Sequence, residues 1–247
     1  MHSKQRNFTY LLSLLALACF FAVKPGMVKA ETNDAQTVQA DPVKKIKKTF
    51  VAYNRGNKLN IWSTYGKGKK VVTRYKSGRK FTATGQVKAN GKTWYRISSK
   101  KWINGVNAIT TAKYNKIKAA AAKASKQKKV VALASSKLGK RYVWGATGPY
   151  SFDCSGLTMY VYKHALGVNL PHYSVSQLYY GKAVSTKKLQ KGDLLFFGSK
   201  RAPSHVGIYV GGNKFVHASS PTVGVIKSTV STRPSSVFYP SSARRLI

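Results

Sequence analysis

The chain has 247 residues, with 44 Lys and Arg against 5 Asp and Glu. That length suits one large domain or two small ones, and so one-sided a charge concentrates the protein on polyanions in a salt-sensitive way. The shortage of acids also excludes chemistry. Past residue 41 the only carboxylates are Asp153, Asp193 and the C-terminus, so a carboxylate-rich calcium or magnesium site is not expected. A carboxylate pair for glycoside hydrolysis would have to be those two alone.

Residues 1–30 have the pattern of a secretory signal peptide. Lys4 and Arg6 form a basic head, Leu11 to Val23 is apolar apart from Ser13, and Val28 and Ala30 put small residues before a cut. The apolar run is too short to span a membrane, and Cys19 lies inside it with Phe20 and Phe21 behind, unlike a lipoprotein site. Cleavage leaves 40 basic and 5 acidic side chains, a net charge of +35, and one thiol, Cys154. A lone cysteine in an exported chain implies an intermolecular disulfide or a reactive thiol. With no disulfide framework, the fold must be held by its core. Export argues against nucleic acid as partner and leaves membrane surfaces and the acidic polymers of a bacterial envelope, without stable membrane insertion.

Residues 31–48 are polar and aperiodic and are expected to form a linker. Over 49–110 short β-rich runs alternate with turn signals: Lys58 to Trp62, Lys70 to Tyr75, Lys80 to Val87, Thr93 to Ile97 and Lys101 to Ile103, with Ser77-Gly78 and Asn90-Gly91 between them. Asn-Gly is a strong two-residue hairpin signal, and five short strands suggest a small all-β barrel. The segments Leu59-Asn60-Ile61-Trp62, Gly91-Lys92-Thr93-Trp94-Tyr95-Arg96-Ile97 and Lys101-Trp102-Ile103 resemble the strands of bacterial SH3-like cell-wall-binding domains. Trp62, Trp94, Tyr95 and Trp102 are then ligand-facing aromatics or barrel core, at least half of them core. Residues 111–128 form a Lys- and Ala-rich spacer. It runs into an amphipathic helix with Val130, Val131, Leu133, Ala134 and Leu138 on its apolar side and Gly139 at its end.

The remaining domain, 129–247, is organised around Ser151-Phe152-Asp153-Cys154-Ser155-Gly156. Gly145, Gly148, Pro149 and Ser151 precede the cysteine, and Leu157, Tyr160, Val161 and His164 or Ala165 follow at helical steps. Cys154 is therefore expected on the first turn of a helix, where unpaired N–H groups and the helix dipole favour a thiolate and lower the thiol pKa. Gly156 gives that turn room for a close approach. The alternative is a small, buried, inert cysteine. After a second helical piece at Ser174 to Tyr180 come β runs at Asp193 to Phe197, His205 to Val210, Lys214 to Ala218, Val223 to Val230 and Ala243 to Ile247. Helices first and strands after describe an α+β domain.

Cys154 requires a base, and the mature chain offers His164, His172, His205 and His217. His164 lies ten residues along the same helix, about 15 Å away. His172 follows Pro171 in a loop and stays open as a candidate. His205 and His217 flank a hairpin turned at Gly211-Gly212-Asn213. A register pairing Val210 with Lys214 sets Gly207 opposite His217 and makes the two imidazoles diagonal neighbours, roughly 7–8 Å apart or less at Cβ. Val206, Ile208, Val210 and Val216 then form the core face. One imidazole can act on the thiol while the other fixes its tautomer. The same pair could be two unrelated strand histidines, or half of a zinc site completed by Cys154 or Asp193.

Arg141-Tyr142-Val143-Trp144-Gly145, Phe152-Asp153-Cys154-Ser155-Gly156-Leu157, Leu170-Pro171, Gln177, Gly192-Asp193-Leu194-Leu195-Phe196-Phe197, His205-Val206-Gly207-Ile208-Tyr209-Val210-Gly211 and Val216-His217-Ala218 resemble, in order and at normal spacing, the NlpC-like cysteine peptidases of the bacterial cell wall. The resemblance implies a papain-like α+β domain with a catalytic Cys154, His205 and His217. It assigns Tyr142 to the oxyanion site and Trp144, Asp153 and Ser155 to substrate binding, the last two matching positions that in some members bind a free amino end. It implies no cofactor and no metal. His172 stands where many members have Arg, and Lys191 where many have Pro. The reaction it implies is hydrolysis in peptidoglycan stem peptides, usually between D-γ-glutamyl and the diamino acid, by a secreted, wall-associated monomer. A non-catalytic wall adhesin, or an acyl- or amidotransferase using the same thiol, are the competing readings.

Overall fold

The computed structural model describes residues 41–56 and 58–247. The expected signal peptide, Cys19 and the first part of the expected linker lie outside the described residues.

The N-terminal part is an antiparallel sheet of seven strands: β1 (Lys44–Ala52), β2 (Lys58–Trp62), β3 (Val71–Lys76), β4 (Lys80–Ala89), β5 (Lys92–Ser98), β6 (Lys101–Asn104) and β7 (Ala108–Ile109). Their order is β3-β2-β6-β5-β4-β1-β7. Asn90 and Gly91 turn β4 into β5 with φ of 50° and 68°, a left-handed pair that Asn and Gly tolerate. Trp94 and Trp102 are buried with Val87 and Ala89, whereas Trp62 and Tyr95 are half-buried. Two of the four candidate aromatics are therefore core.

One boundary differs from expectation. Lys44 to Lys48, read from the sequence as linker, belong to β1, which pairs with β4 through an irregularity between Lys45 and Lys48. Nearly every side chain of that stretch is exposed, and only Ile46 packs on the core. Backbone pairing and the single contact of Ile46 hold it in the sheet, and hydrophobic alternation carries no trace of that.

Helix α1 (Thr111–Ser135) follows directly, capped by the Thr110 hydroxyl accepting from the Lys113 N–H at 3.2 Å. Spacer and amphipathic helix are thus one element. Only Val130 and Ala134 are buried in it, against the core that α2 and the second sheet share. The helix stops short of Gly139, whose φ of 79° instead carries its N–H to the Val225 carbonyl at 2.9 Å. Among the described residues no helix is long and apolar enough to cross a membrane.

The C-terminal domain is α+β. Two short parallel strands, β8 (Arg141–Tyr142) and β9 (Ser151–Phe152), frame a loop. Then come α2 (Cys154–Leu166), the short α3 (Ser174–Gln177), and the strands β10 (Lys182–Ala183), β11 (Leu194–Gly198), β12 (Pro203–Gly211), β13 (Lys214–Ala218), β14 (Val225–Thr229) and β15 (Ser242–Arg245). The sheet order is β10-β15-β11-β12-β13-β14, antiparallel throughout. Val206, Ile208 and Val216 pack with Phe152, Leu157 and Val161 in one core. Leu195, Phe197 and Phe215 form a second cluster with Val230 and Ala243. Period-two alternation therefore places His205 and His217 on the Phe215 side of the sheet.

Candidate active site

The hairpin register follows the expected one within the strands, with Ile208 opposite Val216 and Tyr209 opposite Phe215. It slips at the turn, where Gly211 and not Val210 pairs with Lys214. Gly211, Gly212 and Asn213 all take positive φ there (93°, 59° and 57°), a conformation open to Gly and Asn. Gly207 faces His217 as expected: a Cβ at residue 207 would stand 3.1 Å from the His217 Cβ and 2.7 Å from the Phe215 ring. A side chain there would push the two rings apart.

His205 Nε2 lies 2.8 Å from His217 Nδ1, and His217 Nε2 lies 2.9 Å from the Ser228 hydroxyl on β14. The simplest proton placement has His205 donate from Nε2 to His217, which donates from its own Nε2 to Ser228. Nδ1 of His205 is then unprotonated, as a base requires. Phe215 stacks on His217 and Phe238 meets it edge-on, with ring centres 4.6 and 5.4 Å away. Ser228 carried no signal in the sequence.

Cys154 opens α2 with Asp153 as its cap. One Asp153 oxygen accepts the Gly156 N–H at 2.7 Å and the Ser155 hydroxyl at 3.0 Å. The other accepts the Gly145 N–H at 2.9 Å and His172 Nε2 at 2.7 Å. Asp153 thus ties the helix start to the Trp144 loop and to the loop after Pro171. Gln177, fully buried, fastens the same parts: it accepts from Thr158 at 2.7 Å and donates to the carbonyls of Ser155 and Pro171 at 3.0 and 2.8 Å. The Ala146 carbonyl accepts the Asp153 N–H at 2.9 Å and leaves no room beside residue 156, where a Cβ would fall 2.2 Å from it. Gly156→Ala is expected to cost about 1–3 kcal/mol by overpacking. Urea midpoints will check this, and an unchanged midpoint would mean that the loop yields.

Cys154 is half-buried. It lines a cavity of about 610 Å³ together with Trp144, Asp153, Ser155, His172 and Tyr173. Trp144 is 87% exposed at its rim. Tyr142 packs beside Cys154 on the same core, and its phenol is pushed above its ordinary value by burial and then by the negative charges of Cys154 and Asp153. It therefore stays a neutral O–H donor. His164 is turned away, its Nδ1 bonded to the Tyr160 carbonyl at 2.8 Å. Asp193 is gripped by Arg245 at 2.8 and 2.7 Å, a structural pair where β15 meets the start of β11. Among the described residues no three His, Cys, Asp or Glu side chains gather in a way that could hold a metal ion.

The thiol departs from the sequence expectation. Burial, the largest effect, raises the Cys154 pKa above its usual value, and the neighbouring Asp153 carboxylate adds to this. The backbone N–H groups of Val206, Ser155 and Cys154 act in the opposite direction but do not offset it. The helix start does supply favourable N–H groups, yet desolvation of the sulfur outweighs them. The Val206 contribution also sets the sulfur against the backbone of the residue that follows His205. Burial lowers His205 to about 4 and, with the charge of His205, lowers His217 to about 3. At neutral pH the resting site holds a thiol and two neutral imidazoles.

Two measurable consequences follow from those directions. Alkylation tracks the thiolate, so the iodoacetamide rate at Cys154 should still be climbing above pH 9.0, the ordinary thiol value. An imidazole depressed to about 4 stays competent as the pH falls through 6.5, so the acid limb of kcat/KM should lie below about pH 5. An alkylation midpoint near pH 7 would show that the resting site is an ion pair, and an acid limb near 6.5 would show that burial does not depress His205.

Known proteins resemble the part of the chain that carries this site. Residues 139–241 match the model of the NlpC/P60 family, so this part of the chain is an NlpC/P60 family domain, the cysteine-peptidase family that the sequence resembles. A segment of 89 residues is 44% identical to the probable endopeptidase p60 of Listeria monocytogenes, covering 36% of this chain and 18% of that protein. Protein P54 of Enterococcus faecium is 41% identical over 92 residues, again 37% of this chain and 18% of that protein. A probable endopeptidase of Corynebacterium glutamicum is 38% identical over 115 residues, 47% of this chain and 53% of that protein. The chain thus spans between about a fifth and about half of these relatives' lengths. Among solved structures, the NlpC/p60 domain of the peptidoglycan hydrolase SagA is 36% identical, with 49% of this chain and 98% of that chain covered at a TM-score of 0.45.

Proposed function

We propose that the chain is a secreted, wall-associated cysteine endopeptidase that hydrolyses a peptide bond in peptidoglycan stems. The observation that supports this best is the relay from Ser228 through His217 to His205, delivered by β12 next to a cysteine at a helix start that opens on a cavity. An adhesin has no use for a hydrogen-bonded imidazole pair, with His217 buried and His205 half-buried, near a half-buried sulfur. The bond we assign is D-γ-glutamyl to the diamino acid.

The chemistry follows from the resting protonation. The Cys154 proton passes to His205 Nδ1 as the sulfur bonds to the scissile carbonyl carbon. The Cys154 backbone N–H and the Tyr142 hydroxyl receive the oxyanion, each such donor contributing about 10²–10³ in rate. The C–N bond then breaks as His205 returns its proton to the leaving amine. Water attacks the thioester, giving a proton to His205; the C–S bond breaks, the acid leaves and the thiol is restored. His217 holds the His205 tautomer throughout. Trp144, Asp153 and Ser155, with His172, line the acyl side of the cavity. We read the N-terminal sheet as an SH3-like wall-binding domain that works with the excess positive charge on anionic wall polymers, in a monomer without a cofactor.

The test is digestion of purified peptidoglycan followed by mass spectrometry of the muropeptides. New ends at D-glutamate and at the diamino acid's amine support the reading. Intact stems despite wall binding would favour the adhesin, and an acyl group transferred to an amine would favour the transferase.

A further inference from the structure

The N-terminal sheet carries an open cavity of about 510 Å³ at one edge, lined by Lys58, Val71, Val72, Thr73, Arg74 and Lys76. The edge strand there is β3, which pairs with β2. Leu59, Ile61 and Tyr75 of these strands are buried in the core, so alternation turns Lys58, Arg74 and Lys76 to the outer face. The register sets Lys58 directly opposite Lys76, and Asn60 opposite Arg74. Like charges in that position destabilise a sheet, and no acidic side chain relieves them. The side-chain carboxylates among the described residues are Asp41, Asp153 and Asp193. The ion pairs among those residues are His172 with Asp153 and Arg245 with Asp193.

Arg74 is fixed beside the opposed lysines, its Nε donating to Asn60 Oδ1 at 3.2 Å. An anion in the cavity would complete all three cations at once. A phosphate ester is tetrahedral, and its diverging oxygens can meet two ammonium groups and a planar guanidinium from different sides. A flat carboxylate fills the guanidinium fork and leaves the ammonium groups aside. Val71 and Val72 are 42% and 47% exposed and offer apolar contact to the carbons between successive phosphates. Val71 pairs with Trp62, and Lys69 Nζ stands 5.7 Å from the centre of that indole. A polymer leaving the cavity along β3 therefore meets a fourth cation.

We infer that the outer face of the β2–β3 hairpin is a binding site for a phosphodiester unit of a linear polymer. This assignment rests on the wall-binding reading of the sheet and goes beyond it, because it replaces a diffuse attraction by one site with named cations. Lysines elsewhere lack that arrangement. Lys116, Lys118 and Lys128 of α1 are just as exposed, but their spacing puts them on different sides of the helix, where they cannot converge on one anion.

The experiment titrates the full-length mature protein with a synthetic glycerol phosphate decamer and, separately, with poly-L-glutamate of equal charge. Two triple variants remove the same charge: Lys58→Gln with Arg74→Gln and Lys76→Gln, and Lys116→Gln with Lys118→Gln and Lys128→Gln. All six side chains are exposed, so both variants should fold, as circular dichroism will check. The hairpin variant should bind the decamer about 50-fold more weakly than wild type. Its slope of log affinity against log salt should be shallower by about 2. The helix variant should lose less than about fivefold, and poly-L-glutamate affinity should fall less than about fivefold in both. Equal loss of decamer affinity in the two variants would overturn the site and leave a diffuse attraction standing. Equal loss of both polymers in the hairpin variant would overturn the phosphate ester as its ligand. A wild type that does not bind the decamer would overturn the site together with the reading of anionic wall polymers as partners.

Discussion

Cys154→Ala is expected to lower stem-peptide hydrolysis by about 10⁴–10⁶-fold while wall binding and its salt dependence stay unchanged. The sulfur is the one thiol among the described residues. The Ser155 hydroxyl, one residue on, is bonded to Asp153 at 3.0 Å and buried, so it cannot take over. Alanine also preserves the helix start, because the cap is made by Asp153 and the close approach by Gly156. The substitution therefore removes the chemistry and leaves the fold. Muropeptide release, measured beside pelleting of the protein with wall fragments over a salt series, separates the two. Residual hydrolysis within about tenfold of wild type would place the nucleophile elsewhere.

His205→Ala should cost about 10³–10⁴-fold in kcat/KM, since in the proposed mechanism one imidazole serves as base for the thiol, acid for the amine and base for water. The loss should exceed that of His217→Asn, whose amide oxygen can still accept from His205 Nε2. That order is particular to the relay. If His217 were the base and His205 its support, with the 2.8 Å bond read in the opposite sense, the ranking would invert. Steady-state kinetics on one stem peptide, with circular dichroism to check folding, decides between them. The acid limb offers a second readout. His205 is held neutral to about pH 4 by burial, so the remaining activity of His217→Asn should keep an acid limb well below that of an exposed imidazole.

The legible parts of the site were those set by local pattern. The loop residues before Cys154 and the helical spacing after it located the start of α2, and period-two alternation with a Gly-Gly-Asn turn set the register that brings His205 to His217. Contacts between distant segments left no such pattern. In the sequence His172 is an open candidate for the base and a departure from the Arg of many members, but its 2.7 Å contact with Asp153 joins positions that no periodicity relates. Ser228 lies on a strand of unremarkable composition. The thiol shows a different limit. A helix start argues for a lowered pKa, but the sign is decided by how much water the fold removes from the sulfur, and burial is a property of the assembled domain. In the N-terminal sheet the first half of β1 is exposed lysine and threonine around the single half-buried Ile46, so hydrophobicity could not separate it from linker.

The most direct test of the Cys154 mechanism is to quench the enzyme during turnover of a stem peptide, digest it, and weigh the fragment that contains Cys154. A thioester carrying the acyl half of the substrate on that cysteine, vanishing as substrate is consumed, is the predicted result. Continued hydrolysis with Cys154 unmodified at every time point would contradict it.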